Sequence, residues 1–137
     1  MKAKGQFEVD LKPLPLHAQA GHGVTFGRMS IDKTFAGDLT ATSTGEMLSV
    51  MAPVEGAAGY VAIEQVSGRL LDRAGTFVLQ HFGVMAQAEN RLILEVVPAS
   101  GTGELEGLAG SMVIQIQDGA HFYEFDFHLA GGSGASD

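Results

Sequence analysis

The sequence predicts an all-β protein whose eight antiparallel strands, in a mostly up-and-down order, form a closed β-barrel. Three observations support this fold class: apolar and polar residues alternate along much of the chain, most connections are short turns, and no segment has the apolar period of a helix. Closure into a barrel removes the unpaired edges that a flat sheet of this size would expose. A β-sandwich is the alternative, but its Greek-key crossings would need longer connections between the two sheets.

The first half of the chain contains four predicted strands. The segment Gln6–Lys12 shows the clearest alternation, because its odd-numbered residues are apolar and its even-numbered residues are polar. Pro13 ends this strand, since proline has no amide hydrogen to donate to a ladder. The next three strands are separated by a turn at residues 36–38 and a loop at residues 51–57, and they cover Val24–Phe35, Leu39–Val50 and Gly59–Leu71.

The second half contains four more predicted strands, which cover Gly75–Met85, Arg91–Val97, Ser111–Gln117 and Ala120–Leu129. Asp118 and Gly119 form a two-residue hairpin turn between the last two strands. Residues 99–110 include four glycines, too many for a stable helix, so we interpret them as a loop with at most one helical turn. We therefore expect one domain over residues 1–130 and a flexible tail over residues 131–137.

The segment Gly75–Met85 differs from the other strands because both of its alternate faces are largely apolar. A strand of a one-sided sheet would alternate apolar with polar residues, so this strand should be covered on both sides. The barrel interior accounts for one cover. A second copy of the chain is the simplest second cover, and we expect a homodimer.

Composition excludes several classes of function. The formal net charge of −8 and the lack of a basic cluster argue against nucleic-acid binding, which requires positive charge to meet the phosphate backbone. The chain has no cysteine, so it has neither disulfides nor thiolate chemistry. It begins without the apolar block of a signal peptide, and no apolar run approaches membrane-spanning length. We interpret the protein as cytoplasmic and expect no membrane association.

Four stretches together resemble a bacterial family of small proteins of unknown function, which is associated with the allene-oxide-cyclase-like barrel; they are GRMSIDKTFAGDL (Gly27–Leu39), GTFVLQHFG (Gly75–Gly83), SGTGELEGLAGSM (Ser100–Met112) and DGAHFYEFDF (Asp118–Phe127). The resemblance spans nearly the whole chain and implies an oligomeric eight-stranded barrel. Plant cyclases of the wider fold group close a reactive fatty-acid epoxide inside an apolar barrel. None of their catalytic positions matches a motif in this chain, and a fold alone does not transfer chemistry.

Two titratable residues on apolar strands are candidate catalytic groups. His81 lies within the run of Gly75–Met85 and could move a proton near neutral pH, although a histidine in such a run is more often a hydrogen-bonded core or interface residue. Glu64 follows the apolar residues 60–63, and desolvation there would raise its pKa towards that of a useful base. The alternative is that Glu64 points outward into water.

Three further residues are candidate ligand contacts. Tyr60 and Tyr123 could present hydroxyl groups to the barrel interior, provided that the aromatic face of the last strand points inward. Lys33 shares a face with apolar residues, so it either reaches the rim of the barrel or pairs with an inner carboxylate such as Glu46 or Glu64, and we favour the rim. An error of one residue in the phase of a strand would reverse these assignments.

Neither a metal nor an organic cofactor is expected. The chain has five histidines but no His-x-His pair, and His121 and His128, seven residues apart on one strand, face opposite sides. The glycines of residues 101–107 lack the spacing of a dinucleotide fingerprint and the lysine of a phosphate-binding loop.

Three hypotheses for the function follow from the predicted barrel. The one we favour is a binding module that holds a small hydrophobic ligand in the barrel interior. The alternative is an enzyme of isomerase or cyclase type, in which an interior glutamate or histidine moves a proton. A barrel packed solid with side chains, acting only through its oligomeric surface, is the third.

Overall fold

A computed structural model describes residues 1–87 and 89–130 of the chain. Eight strands, each antiparallel to its neighbours, follow one another in chain order around a closed barrel, and β8 pairs with β1 to complete it. The strands are β1 (Lys2–Pro13), β2 (Thr25–Gly37), β3 (Leu39–Met51), β4 (Ala58–Leu70), β5 (Arg73–Met85), β6 (Asn90–Val96), β7 (Leu108–Gln117) and β8 (Ala120–Leu129). The fold class expected from the sequence is therefore confirmed.

The predicted strands differ from the observed ones mainly at their ends. Strand β1 begins four residues before the predicted Gln6, because Lys2–Gly5 pair with β8 and close the barrel. Strand β7 begins at Leu108 rather than Ser111, since its first residues pair with the end of β8. The predicted tail, residues 131–137, lies outside the described residues.

The turns are formed largely by the residues that the sequence indicated. Asp118 and Gly119 both have positive φ angles, of 50° and 81°, as a two-residue hairpin turn of the primed type requires. The glycine-rich connection between β6 and β7 contains a single 3-10 turn at Gly103–Leu105. No helix in the described part of the chain has the length and apolar character needed to cross a membrane.

One half of the barrel, which we call the closed half, is filled by apolar side chains. It lies at the end that carries the N-terminus and the β2–β3, β4–β5 and β6–β7 connections. Phe77 and Phe125 stack at its centre with ring centroids 5.8 Å apart, and Leu105 of the 3-10 turn covers the base. The core cluster also includes Phe35, Leu39, Val66, Leu70, Leu79 and Leu94. Burial of these side chains stabilises the fold, at roughly 1.5–3 kcal/mol for each large one.

The opposite end, which we call the open half, is not filled in this way. Its inward-facing side chains become progressively exposed towards the mouth of the barrel, where four apolar residues are 38–66 % accessible: Leu11, Met85, Leu92 and Ile116. The strand pattern assigns them to the inner face, because each lies an even number of residues from a buried residue of its own strand. The barrel therefore has an apolar mouth above a packed base.

Candidate functional site

Three charged or titratable side chains meet inside the barrel, at the boundary between its closed and open halves. Lys33 of β2, Glu64 of β4 and His81 of β5 are 6 %, 0 % and 4 % exposed. Oε2 of Glu64 lies 2.8 Å from Nζ of Lys33 and 2.5 Å from Nε2 of His81. The structure thus brings together three of the five residues that the sequence singled out.

Ser43 of β3 completes this group, and its Oγ donates a hydrogen bond of 2.5 Å to Oε1 of Glu64. The sequence analysis missed Ser43. Only the register of β2 and β3 could have identified it, because Ser43 lies directly opposite Lys33 in the ladder between these strands. We call Lys33, Ser43, Glu64 and His81 the buried polar cluster.

The alternation of β4 and a glycine on β3 together place Glu64 inside the barrel. Ala62, Glu64 and Val66 are all buried and share the inner face of β4, so the outward orientation considered above is wrong. Gly45 lies opposite Glu64 in the ladder, and a Cβ added to Gly45 would collide with the backbone of Ile63 and Glu64. Only glycine at position 45 allows this close approach of β3 to β4.

The pKa of Glu64 is lowered rather than raised. Burial alone would raise it, but the hydrogen bond from His81 and the charge of Lys33 outweigh burial and bring the pKa from 4.5 to about 2. The raised pKa expected from the apolar sequence neighbours is therefore wrong, because the neighbours in space are polar. Glu64 is an ionised acceptor at neutral pH, so Nε2 of His81 must carry a hydrogen and donate it.

Lys33 takes the orientation that we considered but did not favour. It is buried and paired with Glu64, rather than extended to the rim, and its Nζ also lies 4.7 Å from the centre of the Phe7 ring. The face of an aromatic ring attracts a cation and replaces part of its lost hydration. Glu46, the other carboxylate considered, points outward and pairs with Arg28 at 2.8 Å.

Tyr60 of β4 lies beside the buried polar cluster on the side of the mouth. Its ring centre is 6.3 Å from that of His81, and it packs directly over Gly83, where an added Cβ would lie 2.8 Å from Cδ1 of the tyrosine. Burial and, to a smaller extent, the negative charge of Glu64 raise the pKa of Tyr60. The hydroxyl of Tyr60 has no hydrogen-bond partner among the described residues.

Tyr123 lies elsewhere, although the aromatic face of its strand does point inward. Its hydroxyl accepts a hydrogen bond of 2.8 Å from the amide of Leu39 and lies 2.9 Å from the carbonyl oxygen of Ala36. These contacts fasten the β2–β3 turn at the closed end. The hydrogen bonds of the Tyr123 hydroxyl therefore stabilise the fold, and Tyr123 is not part of the buried polar cluster.

The second ring nitrogen of His81 can accept a hydrogen bond or a proton from a bound molecule. Nε2 is committed to Glu64, whereas Nδ1 has no hydrogen-bond partner among the described residues. No buried side-chain nitrogen or oxygen in that part of the chain is left without a partner, so Nδ1 is not sealed inside the core. In the neutral ring Nδ1 is an acceptor, and Glu64 would stabilise the cation formed if it took a proton.

The described residues contain no group of three His, Cys, Asp or Glu side chains that could hold a metal ion. In the buried polar cluster, the ammonium group of Lys33 lies where a cation would contact Glu64. The ammonium group of Lys33 therefore balances the negative charge of Glu64.

The barrel and its sequence match proteins whose function is unknown. A crystal structure of a protein with unknown function from Shewanella oneidensis superposes with a TM-score of 0.94 and 57 % sequence identity, over 96 % of this chain and 98 % of the other. A search among curated proteins found no match. The family model described as "protein of unknown function (DUF3224)", the family to which the Shewanella protein is also assigned, matches residues 3–127. The chain therefore belongs to the DUF3224 family.

Proposed function

We propose that the protein binds a small, largely apolar ligand in the open half of the barrel, with one polar group of the ligand at the buried polar cluster. The apolar mouth would hold the body of the ligand. Nδ1 of His81 and the hydroxyl of Tyr60, which have no hydrogen-bond partner among the described residues, lie beside the cluster and would contact its polar group.

The observation that carries this proposal is the position of an ionic cluster at the floor of an apolar mouth. Lys33 and Glu64 are almost fully withdrawn from water, and such pairs are often no more stabilising than apolar side chains of the same volume. Stability alone therefore gives little reason for a buried lysine, glutamate and histidine at this level of the barrel. A role in orienting a ligand does, since perturbed groups in a cleft often mark functional sites.

The lining indicates what such a ligand looks like. Beyond the buried polar cluster, the inward-facing side chains on the open side are half-buried, and they include Val9, Met29, Met47 and Ile114. Methionine side chains adapt to irregular apolar shapes, so the mouth suits a flexible hydrocarbon or a ring system. A ligand with a hydroxyl or enol group would donate to Nδ1 of His81 and accept from Tyr60.

Titration with anilinonaphthalene sulfonate, a fluorescent probe with apolar aromatic rings and one charged sulfonate group, tests the proposal. We expect Met85→Gln and Leu92→Gln in the mouth each to raise the dissociation constant, and together to raise it about tenfold, because apolar contact is lost. Val113→Gln, at an exposed position of the outer wall outside any apolar patch, is the matched control and should leave it unchanged. Equal effects of the mouth and outer-wall variants would refute binding in the mouth.

The alternative function is an enzyme of isomerase or cyclase type, and the bond between Glu64 and His81 specifically favours it. In this case His81 is the proton carrier, and Glu64 holds its ring and stabilises the imidazolium ion. Mass spectrometry in heavy water of a compound that co-purifies with the protein would test this reaction. Deuterium uptake that His81→Gln abolishes, while binding persists, would support the enzyme; uptake unchanged by that substitution would exclude His81 as the base.

A further inference from the structure

The outer wall of the barrel carries an apolar band that the interior site does not use. Leu48, Val61, Phe82 and Ile93 stand directly opposite one another in successive ladders of β3, β4, β5 and β6, and each is 42–53 % exposed. We call these four side chains the apolar row. Neighbouring strands are about 4.8 Å apart, so the row extends for about 14 Å across the sheet.

Two more exposed aromatic or aliphatic side chains widen this band. Phe26 of β2 lies on the mouth side of the row, and Ile63 of β4 lies on the base side; they are 40 % and 58 % exposed. The opposite wall, formed by β1 and β8, is mostly polar on its outer face, which carries Lys2, Lys4, Gln6, Glu8, Asp10, Glu124 and Asp126. Contiguous apolar patches of this kind on one wall mark interaction surfaces.

Opposite charges flank the row on β6. Arg91 and Glu95 lie on the same outer face as Ile93, one on the mouth side and one on the base side of it. The guanidinium of Arg91 lies 5.9 Å from the centre of the Phe82 ring, so it borders the row itself. The two sides of the row therefore differ in charge at this strand.

We propose that a second copy of the chain docks on the apolar row, with the two-fold axis of the dimer running along the row. A rotation about this axis sets each strand against its own copy and exchanges the mouth side with the base side. Arg91 then faces Glu95 of the partner subunit, and Ile63 lies over Gly59 of the partner subunit, which has no side chain of its own.

The charges distinguish this arrangement from the other two-fold packing of the same faces. In that packing the axis runs parallel to the strands, so the mouth side of one row lies against the mouth side of the other, and the base sides likewise meet. Glu46 of β3 then lies opposite Glu95 of the partner subunit. Like charges in contact are costly at an interface. The arrangement along the row instead forms two symmetric ion pairs between two chains that each carry a net charge of −8. This self-complementarity favours a second copy over an unrelated partner.

Light scattering and sedimentation of the full chain at micromolar concentration test the dimer. We expect a dimer that Phe82→Glu converts to a monomer, because the substitution places a carboxylate in the centre of the apolar row. Val113→Glu, at an outer-wall position of β7 that is 59 % exposed, should leave the dimer intact. A monomeric wild-type protein, or a dimer that Phe82→Glu does not affect, would overturn the proposal.

Charge reversal tests the direction of the axis. Arg91→Glu and Glu95→Arg should each raise the dissociation constant of the dimer about tenfold, since two symmetric contacts become repulsive. The double variant restores both ion pairs with exchanged partners and should return to near the wild-type value. If the double variant forms a dimer no more tightly than the single variants do, the proposed direction of the two-fold axis is wrong. Far-ultraviolet circular dichroism of each variant identifies any loss of fold.

The proposed dimer leaves the barrel mouth accessible, because the apolar row points away from the interior. A negative result in the fluorescent-probe titration would therefore contradict only the proposed ligand binding, and a negative result in the oligomer measurements would contradict only the proposed dimer.

Discussion

Replacement of Glu64 by glutamine would show how strongly the buried polar cluster is coupled to the fold. The side chain keeps its shape but loses its charge, so Lys33 is left buried without a counter-ion. The lowering of the Glu64 pKa from 4.5 to about 2 corresponds to about 3 kcal/mol of stability at neutral pH. Removal of one member of a buried pair costs about 3–5 kcal/mol in other proteins, which agrees in size.

The sign of the pH dependence follows from the direction of the shift. Because the pKa of Glu64 is lower in the folded protein than in the unfolded chain, its contribution is complete above pH 4.5 and is lost as the pH falls towards 2. The difference in free energy of unfolding between the wild type and Glu64→Gln should therefore be about 3 kcal/mol at neutral pH. More than half of that difference should disappear by about pH 3.

Urea denaturation at a series of pH values measures this difference. Glu124→Gln is a suitable control, since Lys2 and Lys4 also lower the pKa of Glu124 but its carboxylate is on the surface, and we expect only a small effect. A difference between wild type and Glu64→Gln that stayed constant from neutral pH to pH 3 would refute the assignment of a low pKa to Glu64.

Four other variants separate the structural and the binding roles of the barrel residues. The double variant Lys33→Met with Glu64→Leu should unfold at higher urea concentration than Lys33→Met alone, because no buried charge is left unpaired. Gly83→Ala should lower stability by about 1–3 kcal/mol in the same assay, since the added methyl group collides with the ring of Tyr60. Tyr123→Phe should lower stability by about 1 kcal/mol without affecting probe binding, and Tyr60→Phe should weaken probe binding without affecting stability; the reverse pattern would exchange their roles.

Local sequence pattern was sufficient for the strands and for which side chains share a face. Alternation grouped Phe125 with Tyr123 and Phe127 on one face of β8, and the structure shows that this face points inward; a prolonged apolar run identified β5 as a strand with two apolar sides. The ends of β1 and β7 were harder to predict from the sequence, because their pairing with β8 depends on closure between the first and last parts of the chain.

The buried polar cluster could be predicted only in part. Alternation indicates which face a residue occupies, but contact between Lys33 and Glu64 also depends on the registers of β2, β3 and β4. The pKa of Glu64 was misjudged for the same reason: sequence neighbours describe its strand, whereas Lys33, Ser43 and His81 arrive from other strands.

The division of the barrel into a packed base and an apolar mouth also matters for protein engineering. Most of the large, fully buried side chains belong to the base, so the size and shape of the mouth can be altered with little effect on the free energy of unfolding. Leu11, Met85, Leu92 and Ile116 are the positions at which such a library would begin. The same barrel could then serve as a scaffold whose binding preference is selected at the mouth while its base is kept unchanged.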